Sequence, residues 1–254
     1  MKTIAFVNQK GGVGKTTSVI NCGAALAKAG KKILLVDLDP QGHLTMGLGQ
    51  PAHLLEQTIY ELLKGEATLE DCLIKPDHFK NRLALLPAGI NLASVENELA
   101  TVPGREYLLQ EALEQIADPY DYVLLDCPPS LGLLTINAFV AATDIYIPLQ
   151  CEFLAMHGMN KLLEVAEVVK KRLNPGLEIS GIICTMYDGR KVLNKEVVAK
   201  IKEHFGEKLF KTLIRDNISL AEAPGYGEDI FHYKPNSVGA WDYKRLAEEI
   251  INRS

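Results

Sequence analysis

No CxxC pair occurs among the five cysteines, which stand at positions 22, 72, 127, 151 and 184. An odd number without paired spacing argues against a disulfide framework or a zinc site and predicts free thiols in a reducing cytosol. No apolar run approaches the ~18 residues of a membrane span. The opening Met-Lys-Thr-Ile-Ala-Phe-Val turns polar at Asn8, so it reads as a buried strand and not as the apolar core of a signal peptide. No stretch is rich in Gly, Ser or Pro, and no segment repeats, so a single domain over residues 1–254 is expected. With 47% apolar residues and a net charge of only −5, bulk disorder and a general affinity for nucleic acid are both disfavoured.

The charge is unevenly spread. Residues 161–215 hold 12 Lys/Arg against 7 Asp/Glu, whereas residues 1–160 hold 11 against 18. One stretch of an acidic chain is therefore basic.

Short apolar runs alternate with longer amphipathic ones. Strands are expected at Thr3–Asn8, Ile33–Asp37, Leu83–Pro87, Tyr122–Asp126, Asp144–Leu149, Ile179–Thr185 and Phe210–Ile214. Helices are expected at Lys15–Ala29, Leu54–Leu63, Arg105–Ile116, Leu131–Ala141, Gly158–Leu173, Asn194–His204 and Gly239–Asn252. Nearly continuous apolar strands are those of a parallel sheet covered on both faces. The alternation implies an α/β fold, a doubly wound and mostly parallel sheet with helices on both sides. The polar, helical segment Gln41–Asp77 reads as an insertion near the sheet edge.

The strongest local signal is Lys10-Gly11-Gly12-Val13-Gly14-Lys15-Thr16-Thr17, between the first strand and the first helix. Glycines let backbone N–H groups turn inward around phosphate oxygens, and the helix N-terminus adds its positive dipole end. Lys15 can reach the β- and γ-phosphates, and the Thr16 hydroxyl can ligate Mg²⁺. The chain is thus expected to be a P-loop NTPase. The usual spacing would put Gly where Gln9 stands, and a second lysine, Lys10, follows instead.

Two buried strands end in acids. Ile33–Asp37 runs into Asp37-Leu38-Asp39, and alternation puts both carboxylates on one side, at the carboxyl ends of strands where such folds bind ligands. Tyr122–Asp126 ends in Asp126-Cys127-Pro128-Pro129, the pattern of a carboxylate held near Mg²⁺. No Asn-Lys-x-Asp guanine signature occurs.

This loop with its early lysine resembles the deviant Walker loop of the ParA/MinD group of ATPases. Residues Asn8–Gly49, the Leu220–Ala223 run LAEA, the following PGYGEDI and Tyr233–Ser237 resemble chromosomal ParA proteins of the Soj type. The resemblance implies ATP hydrolysis with Mg²⁺, Lys10 acting across a dimer on the other subunit's phosphates, and Asp39 activating water with Asp37 in support. It implies metal positions at Thr16, Asp39 and Asp126, and adenine contacts in Ile214–Asn217, where Asn217 carries over and Arg215 replaces a common proline. It further implies an ATP-dependent homodimer that binds double-stranded DNA without sequence preference and a ParB-type activator, in the cytoplasm on the nucleoid. DNA contacts fall on Arg190 and Lys191, with Lys195, Lys200 and Lys202 on the next helix. Asp216 and Ser219 stand where relatives often carry arginine.

Rival readings are a ParA relative that positions a protein cargo, a MinD-like membrane-cycling regulator, an iron–sulfur ATPase using Cys127 and Cys151, and a small-molecule kinase. The last helix sets Tyr243, Leu246, Ala247, Ile250 and Ile251 on one face but carries Glu248 and Glu249. Docking on its own core explains that better than a membrane surface, so no membrane partner is expected.

Overall fold

The computed structural model describes residues 1–76, 79, 81–116, 118–152 and 158–253. Six strands form one sheet: β1 (Lys2–Phe6), β2 (Ile33–Asp37), β3 (Leu83–Leu86), β4 (Tyr122–Asp126), β5 (Asp144–Gln150) and β6 (Glu178–Thr185). Their order is β3-β2-β4-β1-β5-β6, and every pairing within the sheet is parallel. The principal helices are α1 (Lys15–Lys28), α2 (His43–Gly47), α3 (Leu133–Ala141), α4 (Met159–Arg172), α5 (Val192–Phe205), α6 (Ile218–Glu222) and α7 (Val238–Asn252).

Alternation along each strand divides the core in two. Ile4, Phe6, Ile33, Leu35, Leu124 and Tyr146 pack with α1 and α7 on one face. Ala5, Val7, Leu34, Val36, Leu125 and Ile147 pack with α3, α4 and α5 on the other. Gly23 of α1 lies so close to the sheet that an added Cβ would sit 2.7 Å from a Leu35 methyl. The doubly wound reading is thus realised.

The segment Phe210–Ile214 is not a strand of the sheet. It runs beside β6 with isolated bridges at Leu209 and Arg215, Phe210 N–H donating to Ile182 at 3.0 Å and Ile214 N–H to Cys184 at 2.9 Å. Thr212 and Lys211 instead give their N–H groups to the Glu249 carboxylate, which interrupts a continuous ladder. The expected helix over Arg105–Ile116 is shorter, Leu108–Glu114, because Asn137 of α3 captures the Arg105 carbonyl and the Leu109 N–H. The insertion after Gln41 contains short helical pieces at His43–Gly47, Ile59–Leu63 and Leu69–Cys72, the latter two opened by capping boxes at Thr58 and Thr68. Its final residue, Asp77, lies outside the described residues.

Sheet order brings the carboxyl ends of β1, β2 and β4 side by side. The register sets Phe6 against Asp126 and Asp126 against Asp37. The phosphate-type loop and both acids thereby converge at one rim.

Candidate nucleotide site

Gly14 caps α1 at φ +84°, and Gly12 sits at φ +75°, left-handed conformations that favour glycine. The loop is moored from behind. Thr185, the last residue of β6, donates to the Val13 carbonyl at 2.8 Å, and Asn8 donates to Pro148 at 2.8 Å while accepting from Lys10 N–H. Before it lies a cavity of about 640 Å³ lined by Gly11, Gly12, Lys15, Thr16, Thr17 and Asp39, among others. Lys15 is buried, its Nζ 3.5 Å from the Lys10 carbonyl.

The Thr16 hydroxyl donates to Asp126 Oδ2 at 2.7 Å. Asp126 Oδ1 is buried and has no hydrogen-bond partner among the described residues. A buried carboxylate oxygen left bare, beside a threonine hydroxyl and below a phosphate-type loop, is a donor set suited to a hard divalent cation. Mg²⁺ fits these residues. Burial, with Asp37 close by, holds the Asp126 carboxyl well above the usual carboxylate range.

Asp37 is fully buried and shapes the rim. It accepts from Thr45 N–H at 2.9 Å, from the Thr45 hydroxyl at 2.7 Å and from Asp39 N–H at 3.2 Å. It therefore fixes α2 and the backbone that carries Asp39, and burial pushes its carboxyl up to about 6. Thr45 is a positioning residue that sequence reading missed; its partner is eight residues away and carries no local pattern.

Lys10 does not line the cavity. Its ammonium pairs with Glu152 at 2.6 Å, with both side chains about half exposed. Asn217 lies in an adjoining recess of about 110 Å³, walled also by Gly14, Thr17, Met186, Arg215 and Tyr243. Met186 joins the two spaces and is held at φ +51°, a strained conformation of the kind that gathers at functional sites.

A family model described as an AAA domain matches residues 1–179. The chain is 48% identical over 253 residues to the chromosome-partitioning ATPase Soj of Treponema pallidum, covering 99% of this chain and 98% of that protein. It is 44% identical to the chromosome partitioning protein ParA of Caulobacter vibrioides, over 100% of this chain and 95% of the other. The chain belongs to the ParA/Soj family of partitioning ATPases. Among solved structures, a Mycobacterium smegmatis protein titled cobyrinic acid a,c-diamide synthase, with bound ADP and magnesium, superposes with TM-score 0.86 at 36% identity over 99% of this chain and 94% of that one. The septum site-determining protein MinD of Pyrococcus horikoshii, complexed with Mg-ADP, gives 0.79 at 28% identity, over 98% of this chain and 95% of that one.

Within this ParA/Soj-family chain, the expected DNA residues are spread along one edge. Arg190 and Lys191 lie in the loop before α5, Lys195 in its first turn, and all three are exposed. Arg190 is turned onto its own loop, its guanidinium bound to Asp188 at 2.9 and 3.0 Å, so its charge is partly spent. Lys191 and Lys195 have no ion pair among the described residues. Asp216 is exposed, whereas Ser219 is buried, only 2% exposed. No helix among the described residues is long and apolar enough to cross a membrane, and the apolar face of α7 is packed on the core through Tyr243, Leu246, Ala247 and Ile250. All five cysteines are free and buried, so Cys127 and Cys151 present no thiol to a shared cluster.

Proposed function

We propose that this chain is a single-domain, ATP-dependent switch of chromosome or plasmid partitioning. ATP, held with Mg²⁺, joins two copies; the pair binds duplex DNA without sequence preference; a ParB-type partner stimulates hydrolysis and releases it. The protein then works in the cytoplasm, on the nucleoid.

The observation that carries this reading is the division of labour between two lysines of one loop: Lys15 is buried at the cavity wall, while Lys10 points away from it. A lysine facing away from its own cavity can serve the cavity of a second copy, as an arginine finger does. Lys15, the loop N–H groups and the α1 N-terminus receive the phosphates. Thr16 and Asp126 would hold Mg²⁺ with Asp39 in support, and the bound ion would neutralise charge on the phosphate oxygens. Asp39 lines the same cavity, half-buried, and orients the attacking water. Water attacks the γ-phosphorus, the bond to the ADP oxygen breaks, and the proton of the water passes to the phosphate product. Basal turnover is slow, because an isolated subunit lacks the lysine from its partner.

Static light scattering of Asp39→Ala with ATP tests the reading. The mass should double, and adding Lys10→Ala should return it to the monomer. A double variant that still pairs in ATP would overturn the role of Lys10.

A further inference from the structure

The wall of the small recess that includes Asn217 is the segment 214–217, and it is moored on two sides. Toward β6 the ties are backbone bonds: Tyr187 N–H donates to Ile214 at 2.9 Å, and Asp216 N–H donates to Tyr187 at 3.1 Å. Toward α7 the tie is one carboxylate. Asp242, with its side chain 4% exposed, accepts the Arg215 backbone N–H at 2.9 Å, Nε at 3.0 Å and a terminal guanidinium nitrogen at 2.6 Å. The next residue, Tyr243, lines the recess and shares a 3.1 Å hydrogen bond with Ser18 of α1. Two consecutive residues of α7 thus bear on the recess, one forming part of its wall and one anchoring segment 214–217.

We propose that the Arg215–Asp242 pair is a positioning device for the nucleotide base, fixing segment 214–217 in its receiving conformation before the base arrives. This rests on the reading that the base occupies that recess. Nε and one terminal nitrogen of the Arg215 fork are engaged by the buried carboxylate, while half of the side chain stays exposed. Its bidentate geometry also fixes orientation, which a single point contact would not. Asn217 directs its Oδ1 to the Ser219 N–H at 2.9 Å, capping α6, which leaves its amide donors for a ligand. Both the cap and the donors depend on where residue 215 holds the chain. A proline there would restrict the same backbone covalently; here an ion pair does it.

The test compares ligands with and without a base. Isothermal titration with Mg·ATP and with Mg·tripolyphosphate is run on the whole chain, the Arg215→Met, Arg215→Lys and Asn217→Ala variants, with a thermal melt of each. A segment competent about a tenth of the time binds about tenfold more weakly. Arg215→Met should therefore lose about tenfold in ATP affinity and leave tripolyphosphate within about twofold, with Arg215→Lys recovering part of the loss. Equal losses for both ligands, or no loss for ATP, would overturn the proposal. If Arg215→Met does not fold, Asp242→Asn carries the same comparison. Asn217→Ala separates the two claims. If it keeps ATP affinity and its margin over tripolyphosphate, the base lies elsewhere and the underlying reading fails. If it weakens ATP while Arg215→Met does not, the positioning device alone fails.

Discussion

Replacing Asp126 by Asn should move stability and nucleotide binding in opposite directions. This carboxyl is buried, one oxygen has no partner among the described residues, and Asp37 stands opposite it in the β2–β4 register. Both groups bind their protons more tightly folded than unfolded. The sign follows: the unfolded chain releases protons from about 3.8 upward while Asp37 holds its own to about 6, so folding stability falls as pH rises through that window. An amide at 126 removes the charge that Asp37 opposes. It can still accept from Thr16, and its N–H group can donate to Asp37. An unsatisfied buried polar group costs about 1–3 kcal/mol. The variant should be more stable by about that amount at pH 7.5, or about 2–4 °C in melting temperature per kcal/mol for a chain of this size. The gain should shrink toward pH 4, where the native carboxyls are protonated. Mg²⁺-dependent ATP binding should collapse, because the amide offers the cation a dipole where the carboxylate offered charge. Calorimetric melts at several pH values, with and without Mg·ATP, read both effects. A variant that is less stable when empty yet binds Mg·ATP normally would refute the assignment.

Lys15→Ala should abolish ATP binding, since the phosphate charge loses its buried cation; titration calorimetry with Mg·ATP checks this. Lys10→Ala should leave ATP affinity nearly intact, because the lysine lies outside its own cavity, and breaking its half-exposed pair with Glu152 should cost at most about 1 kcal/mol of stability by denaturant titration. Lys191→Ala should flatten the salt dependence of DNA binding by about one unit of slope per subunit, whereas Arg190→Ala should do less, its charge being shared with Asp188.

The parts legible in the sequence are those with local period or spacing. Strands β2 and β4 fall where their apolar runs end in Asp37 and Asp126, because a doubly covered strand must be apolar throughout. The loop from Lys10 to Thr17 was readable because phosphate chemistry needs glycines, a lysine and a hydroxyl at fixed offsets. What could not be read depends on partners far away along the chain. Glu152 lies 142 residues from Lys10, Asp242 lies 27 from Arg215, and the Asp37–Thr45 bond skips a turn with no periodic pattern. Arg215 in place of a proline was visible as a substitution, but its meaning required α7 to be folded back against the recess. Phe210–Ile214 has strand-like composition, yet Glu249 takes two of its N–H groups, and composition alone does not report that.

The most direct test of the account is binding to random-sequence duplex DNA by Asp39→Ala, with ATP and with ADP, at two salt concentrations. Binding with ATP only, falling steeply as salt rises, is the predicted result. Equal binding in both nucleotide states, or none in either, would contradict a nucleotide-gated hold on DNA.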